Sequence, residues 1–219
     1  MTYREFLAHI GARRRTLRSY FDIVKQFEDL EESCVPSYCH GNIAAAYVAW
    51  WRLYQAARLA NERIATGHVL DFGAATGELR LMLPGTVDYD FIEEIDILAT
   101  ALVKWTPNAR RQTLSSIGRN QYNLIFALDS LEHNENFEDI LSTLQLALRD
   151  DGLLVLSGPT ENRLYKLGRT LSGFDGHYHH TTIYDIERAA ETILTRVDGA
   201  TGPLVFPLFS ISVWRNKAA

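Results

Sequence analysis

A glycine-rich segment at residues 69–78 carries the most specific chemical signal in this 219-residue sequence. Its sequence, VLDFGAATGE, predicts a buried strand, a tight turn and then a helix, because a short apolar run precedes closely spaced glycines. Such turns bind nucleotide phosphates in doubly wound sheets. The dinucleotide pattern requires glycine where this chain has Ala75 and Glu78, and a carboxylate there would repel a pyrophosphate. The segment therefore favours a ligand that is cationic or carries a cationic group.

A second candidate position lies at the end of the next predicted strand, in the segment FIEEIDI. An acid about 20 residues after a glycine turn can accept hydrogen bonds from both hydroxyls of a ribose. Asp96 lies 23 positions after Gly73, and Glu94 lies on the same predicted strand face. We favour Asp96 because the predicted helix begins immediately after it, which would place it at the tip of the strand. The alternative is a solvated acid at a helix start.

The elements that position these residues change in character at residue 67. From there on, strand patterns such as HVLDF, YNLIFAL and LLVLSGP alternate with helix patterns, as in a parallel sheet covered on both faces. The strongest helix pattern, FEDILSTLQLALRDDG, ends at Gly152, and PLFSISVWRN alternates like a final strand. Residues 3–65 have helical patterns with a break at SCVPSYCHGN. We predict a helical N-terminal cap at residues 1–66 and an α/β domain at residues 67–219.

Together these motifs resemble the class I S-adenosylmethionine-dependent methyltransferases of the small-molecule, methyltransferase-11/23-like type. VLDFGAATGE is similar to their first motif, and EEIDI is similar to their ribose-binding strand end. The run from YNLIFALDSLEHN to LLVLSGP is similar to their fourth-to-fifth-strand segment, and GHYHHTTIYDI to the segment that follows. The resemblance implies an α/β fold, a Rossmann-like three-layer sandwich with a seven-stranded, mostly parallel sheet and an N-terminal helical extension. The last strand would be antiparallel, at the edge of the sheet.

The resemblance also implies which residues bind the cofactor, S-adenosylmethionine, in the domain at residues 67–219. They lie at the carboxyl ends of the first, second and fourth strands or directly after them: Asp71, Gly73, Ala74, Ala75, Gly77, Asp96, Ile97, Asp129, Ser130 and Leu131. Two features depart from the family pattern. Ala75 replaces the middle glycine of the first motif. Residues 110–117 contain no acid to bind the adenine amino group, which leaves Gln112 or a backbone amide for that role.

Two histidines are candidates for catalysis. Methyl transfer from a sulfonium mainly requires alignment of acceptor, methyl and sulfur, and a base with a pKa near 7 assists when the acceptor is a hydroxyl or an amine. His133, next to Glu132, is the candidate base, and His177 is the candidate for positioning the acceptor. A structural role is the alternative for each. No carboxylate lies at ligand spacing from His177, His179 and His180, so we expect no metal.

Composition limits the partners and the location. A net charge of −5 argues against a nucleic-acid binder that works by bulk charge. No uninterrupted apolar run reaches the roughly 20 residues of a membrane span, and the N terminus lacks the features of a signal peptide. We therefore expect a cytoplasmic protein without stable membrane insertion. The aromatic side chains of the cap, such as Trp50 and Trp51, would form helix-packing surface, a lid over the acceptor or a homodimer surface.

The expected activity is transfer of a methyl group from S-adenosylmethionine to an oxygen or nitrogen of a small metabolite, with S-adenosylhomocysteine as the product. The basic run Arg13–Arg15 would then face the acceptor, unless it is a solvated helix face. Two other functions stay open. The first is a methyltransferase-like protein that binds without catalysis, which the missing acid at residues 110–117 keeps in view. The second is an NAD-dependent oxidoreductase, against which Ala75 and Glu78 argue.

Overall fold

The computed structural model describes residues 2–23, 25–26, 30, 33–61, 67–160, 181–203 and 207–217. Its helices are α1 (Tyr3–Tyr20), α2 (Val35–Tyr38), α3 (Ile43–Asn61), α4 (Asp96–Trp105), α5 (Phe137–Ala147) and α6 (Ile183–Ile193). Its strands are β1 (His68–Phe72), β2 (Asp88–Ile92), β3 (Arg110–Arg111), β4 (Tyr122–Leu128), β5 (Leu148–Pro159), β6 (Leu194–Gly202) and β7 (Phe209–Asn216). Short 3-10 helices lie at Leu79–Met82 and Leu131–His133. The helical first segment and the later alternation of strands and helices agree with the sequence prediction.

The seven strands form a sheet in the order β3-β2-β1-β4-β5-β7-β6. The five strands β3, β2, β1, β4 and β5 are parallel to one another, whereas β7 is antiparallel to both of its neighbours, β5 and β6. Strand order reverses between β1 and β4, and ligands of such sheets bind outside the carboxyl ends of the strands at that point. The predicted seven-stranded, mostly parallel sheet is confirmed. The antiparallel strand β7 does not form the edge as predicted, because it pairs on both sides and leaves β6 outermost.

The two faces of the sheet are covered by different helices. Side chains along β4 alternate, so that Leu124 and Phe126 belong to one hydrophobic cluster and Ile125 and Ala127 belong to the other. Apolar residues of α1, α3 and α4 join the first cluster, and those of α5 and α6 join the second. The cap therefore shares a hydrophobic core with the sheet. The predicted domain boundary adjoins residues 62–66, which lie outside the described residues, and it stays a prediction.

Helix α5 ends five residues before Gly152, where the sequence pattern placed its end. The amides of Asn120 and Gln121, just before β4, donate hydrogen bonds of 3.0 and 2.8 Å to the carbonyls of Leu146 and Ala147. These bonds satisfy carbonyls that a helix end leaves without partners. The next residue, Leu148, pairs with Tyr122 in the sheet. Contacts with β4 thus turn the last residues of the predicted helix into the start of β5.

Of two other predicted helices, one has a different form in the structure and the other lies almost entirely outside the described residues. The segment ELRLML contains the 3-10 helix Leu79–Met82 rather than an α-helix. The sequence also predicts a helix at residues 160–171, and this segment lies outside the described residues except for its first position. In the part of the chain that the structure describes, no helix combines the length and the hydropathy needed to cross a membrane.

Candidate active site

The turn after β1 brings two predicted ligand-binding segments into contact. Gly73, the first residue after β1, has a φ of 74°, a left-handed conformation that glycine adopts without strain. Its amide donates a 2.9 Å hydrogen bond to the carbonyl of Ile92, the last residue of β2. A Cβ atom on Gly73 would lie 2.4 Å from the Cβ atom of Ser130, which follows β4. The glycine thus lets the turn pack directly against the end of β4, at the switch point of the sheet.

Ala75 takes the left-handed conformation in the middle of this turn. Its φ is 48°, which costs a residue with a side chain roughly 1–2 kcal/mol. The Ala75 amide donates a 2.7 Å hydrogen bond to Oε2 of Glu93, and the Ile95 amide donates one of 2.9 Å to Oε1. Burial raises the pKa of the Glu93 carboxyl overall, although the amides that bond to it act in the opposite direction. Glu93 is therefore a buried acid that joins the turn to the end of β2.

Glu93, rather than Asp96, directly follows β2. The strand ends at Ile92, whereas Asp96 is the first residue of α4. The Asp96 side chain is 87% exposed and pairs with Arg111 at 2.8 Å. The reason for favouring Asp96 was therefore wrong, because three residues separate the strand end from the helix start. Cofactor contact by Asp96, and by the adjacent, half-buried Ile97, stays a prediction.

Asp71 is a buried acid beneath the turn. Its Oδ2 atom accepts a 2.5 Å hydrogen bond from the Tyr89 hydroxyl of β2. Burial raises the pKa of Asp71 to about 7; the Tyr89 hydrogen bond lowers it, and the nearby carboxyls of Glu93 and Glu78 raise it. The Asp71 carboxyl, which lies next to the glycine turn, therefore titrates near neutral pH.

Asp71→Asn is expected to flatten the pH dependence of the free energy of unfolding. The pKa of this carboxyl rises from 3.8 to about 7 on folding, so between these values the folded state binds the proton more tightly and stability falls as pH rises. At 1.36 kcal/mol per pKa unit, the loss is about 4 kcal/mol over the whole interval, and about 3 kcal/mol of it falls between pH 5 and pH 8. Urea unfolding at pH 5 and pH 8 measures it, with Asp88→Asn, at an exposed position of β2, as the control. The prediction fails if Asp71→Asn keeps the wild-type pH dependence.

The segment after β4 presents three of the predicted residues at the same edge of the sheet. Asp129 has a φ of 50°, its amide donates a 2.9 Å hydrogen bond to the Ser157 carbonyl, and its Oδ1 atom accepts a 3.0 Å bond from the Ser157 hydroxyl. Ser130 and Leu131 are buried beside it. The Ser130 hydroxyl has no hydrogen-bond partner among the described residues. Asp129 and Ser130 therefore lie next to the glycine turn, as expected for parallel strands that end at one edge.

Two arginines of the cap reach this edge. Arg52 of α3 is buried, forms an ion pair with Asp129 and donates a 3.2 Å hydrogen bond to the Tyr38 hydroxyl. Arg13 of α1 is also buried and pairs with Glu78 at 2.9 Å. The predicted role of the basic run, to face an acidic acceptor, therefore does not apply to Arg13. The sequence analysis did not predict that Arg52 belongs to the site or that Arg13 contacts the glycine turn.

The two candidate catalytic histidines have different outcomes. His133 is the half-buried last residue of the 3-10 helix Leu131–His133, and the preceding Glu132 is buried. His177 and the neighbouring histidines at 179 and 180 lie outside the described residues. Within the described ranges, no group of three or more histidine, cysteine, aspartate or glutamate side chains could hold a metal ion. The catalytic roles of His133 and His177 stay predictions.

The sheet order, the glycine turn at the switch point and the acids around it are features of α/β proteins that bind nucleotide-like ligands at the carboxyl edge of the sheet. The family is then given by the sequence comparison. Residues 45–193 match the family model described as Methyltransferase domain. The chain belongs to this family, within the class I S-adenosylmethionine-dependent methyltransferases.

Solved structures with the same fold include several methyltransferases. Magnesium protoporphyrin IX methyltransferase from Synechocystis, with bound S-adenosylhomocysteine, matches 92% of this chain and 99% of its own, with a TM-score of 0.64 and 17% identity. The N-methyltransferase NodS from Bradyrhizobium japonicum, also with S-adenosylhomocysteine, matches 77% and 87%, with a TM-score of 0.62 and 16% identity. At these identities the likeness establishes the fold. No curated protein matches the sequence.

Proposed function

We propose that this protein transfers a methyl group from S-adenosylmethionine to an oxygen or nitrogen atom of a small molecule. The observation that carries the proposal is the glycine turn after β1, packed against the segment after β4 at the switch point of the sheet. The solved relatives support a small-molecule acceptor. One of them, a Burkholderia thailandensis N1-methyltransferase, was crystallised with 1,6-didemethyltoxoflavin and S-adenosylhomocysteine at a TM-score of 0.56.

The residues around the turn fit this cofactor. Gly73 has no side chain, which lets the turn lie directly against Ser130 at the carboxyl edge of the sheet. The buried atoms Glu78 Oε2 and Ser130 Oγ have no hydrogen-bond partner among the described residues and are therefore available to a bound group. The buried carboxyls of Asp71 and Glu93 add to the acidic surroundings. Such surroundings suit a cofactor that carries a sulfonium and an ammonium group, and they disfavour a pyrophosphate.

When bound, S-adenosylmethionine supplies an electrophilic methyl group on its sulfonium. In the proposed scheme the chain's own residues bind and orient. Glu93 would accept hydrogen bonds from the ribose hydroxyls, with Asp96 as the alternative acid. Asp129 and Ser130 would line the cofactor pocket beside the turn. His133 would accept the proton that a hydroxyl or amine acceptor loses, since an imidazole base is suited to that step near neutral pH.

Calorimetric titration of the purified protein with S-adenosylhomocysteine, S-adenosylmethionine and NADH tests the cofactor. We expect binding of the first two and none of NADH. Absence of binding by both forms of the methyl cofactor would overturn the proposal, and binding of NADH alone would favour an oxidoreductase. Release of S-adenosylhomocysteine with a panel of hydroxyl and amine acceptors then distinguishes an enzyme from a protein that only binds.

Glu93→Gln is expected to weaken S-adenosylhomocysteine binding by about 10- to 100-fold, while Asp96→Asn leaves it within about twofold. Glu93 is buried at the end of β2, whereas the Asp96 side chain is 87% exposed. A hydrogen bond to a charged group contributes about 1.5–3 kcal/mol, which sets the expected range. Calorimetric Kd values of the two isosteric variants measure the difference. The opposite ranking would assign the ribose contact to Asp96.

A further inference from the structure

A buried arginine of helix α1, Arg13, forms hydrogen bonds with the glycine turn. Arg13 is 8% exposed, and its Nη2 atom donates a 2.5 Å hydrogen bond to the carbonyl of Thr76. Its Nε atom donates one of 2.9 Å to Oε1 of Glu78. The guanidinium also stacks on the ring of Trp105 in α4, with Cζ 4.1 Å from the ring centroid. One side chain thus connects the first cap helix, the turn and the helix after β2.

The turn depends on these contacts because of its own geometry. Residues on both sides of Thr76 are left-handed, with φ of 48° at Ala75 and 82° at Gly77. Thr76 and Glu78 are buried, and the Thr76 hydroxyl donates a 2.5 Å hydrogen bond to the same Glu78 oxygen that Arg13 contacts. Without Arg13, the Thr76 carbonyl and the Glu78 carboxylate would lose the donor and the cation that balance their burial. Buried polar groups left in that state destabilise the conformation that holds them.

We propose that Arg13 is a positioning residue for the cofactor: it holds residues 75–78 in the shape that binds S-adenosylmethionine. This inference rests on the proposed function, since it concerns the same turn. It makes the cap part of the cofactor site, because α1 contributes to cofactor affinity through the turn. By linkage, a bound cofactor must in return stabilise the docking of α1.

Arg13→Gln is the direct test, measured as calorimetric affinity for S-adenosylhomocysteine. We expect at least a tenfold loss of affinity, with kcat at saturating S-adenosylmethionine within about threefold of wild type and KM raised. Arg13→Lys should recover only part of the affinity, because an ammonium cannot reproduce the planar fork that reaches both the Thr76 carbonyl and Glu78. Arg15→Gln, at an exposed position of the same helix, should bind like wild type. Circular dichroism confirms that each variant is folded at the temperature of titration.

Hydrogen exchange of the wild-type protein tests the same linkage without a substitution. Addition of S-adenosylhomocysteine should slow exchange in α1, Tyr3–Tyr20, more than in α5, which lies on the other face of the sheet. If wild type binds S-adenosylhomocysteine but Arg13→Gln binds equally well, or if exchange in α1 does not respond, the inference is wrong. If wild type does not bind, it is the proposed function that fails. Should Arg13→Gln not fold, the exchange measurement alone decides.

Discussion

Gly73→Ala is expected to weaken S-adenosylhomocysteine binding by about 100-fold or more. The added Cβ atom would lie 2.4 Å from the Cβ atom of Ser130, whereas carbon atoms in contact prefer about 3.5–4.0 Å. Because the Cβ atom of Ser130 is fixed to its backbone, the turn or the segment after β4 must shift by about 1 Å. A shift of that size in a binding constellation can cost about 100-fold. The φ of 74° adds strain of roughly 1–2 kcal/mol for any residue with a side chain.

Gly85→Ala is the matched control for this substitution. No atom lies within 4 Å of the position that its Cβ would take, so both affinity and stability should stay at wild-type values. Combining Gly73→Ala with Ser130→Gly removes the steric contact but keeps the backbone strain, and it should restore part of the affinity. Calorimetric titrations of the four proteins, each verified as folded by circular dichroism, measure these differences. Wild-type affinity in Gly73→Ala would contradict a ligand-binding role for the turn.

The parts of the site that could be predicted from the sequence are those that local patterns determine. The run of apolar residues before Gly73 defines β1 and its turn, and YNLIFAL places Asp129 and Ser130 directly after β4. Parallel strands present their carboxyl ends at one edge, so the contact between Gly73 and Ser130 follows from the topology. The count of seven strands came instead from the family resemblance, because β3 is only Arg110–Arg111 and β6, with the sequence LTRVDGATG, is not an apolar run.

The acid at the end of β2 could not be assigned in this way. Three carboxylates lie within FIEEIDI, and the strand end depends on hydrogen bonding with β1, where Phe72 pairs with Ile92. That pairing makes Glu93 the first residue beyond the strand and leaves Asp96 to begin α4. The only local signal for Glu93 was its position directly after the strand pattern YDFI, whereas the expected start of the helix favoured Asp96, three residues further along the chain.

The burial and pairing of the cap arginines, Arg13 and Arg52, could not be predicted from the sequence for a different reason. Arg13 and its partner Glu78 are 65 residues apart in sequence. In a single sequence, an arginine on an amphipathic helix is indistinguishable from a solvated one, because its pairing is decided only when the cap packs on the sheet. The basic run was therefore expected to face the acceptor or to be a solvated helix face, although its first member is buried against the glycine turn.

Arg52→Leu is expected to lower the free energy of unfolding by about 3–5 kcal/mol, the typical cost of removing one partner from a buried ion pair. The side chains of Arg52 and Asp129 are 2% and 10% exposed. The substitution leaves the Asp129 carboxylate buried with the Ser157 hydroxyl, at 3.0 Å, and removes the bond to Tyr38. Burial alone would lower the pKa of the Arg52 guanidinium, but the neighbouring side chains of Cys34, Tyr38 and Glu132 raise it overall. The group therefore carries its charge in the folded protein.

Adding Asp129→Asn to Arg52→Leu separates the ion pair from packing, because it removes the charge that the single variant leaves uncompensated. We expect the double variant to recover about 1–3 kcal/mol in urea unfolding, the coupling typical of residues in direct contact. Arg58→Leu, at an exposed position of the same helix, should change stability by less than about 0.5 kcal/mol. If Arg52→Leu loses no more stability than Arg58→Leu, the ion pair does not stabilise the packing of the cap on the sheet.

Since Asp129 adjoins the glycine turn, affinity for S-adenosylhomocysteine should also fall in Arg52→Leu. In the double variant, affinity should recover less than stability does.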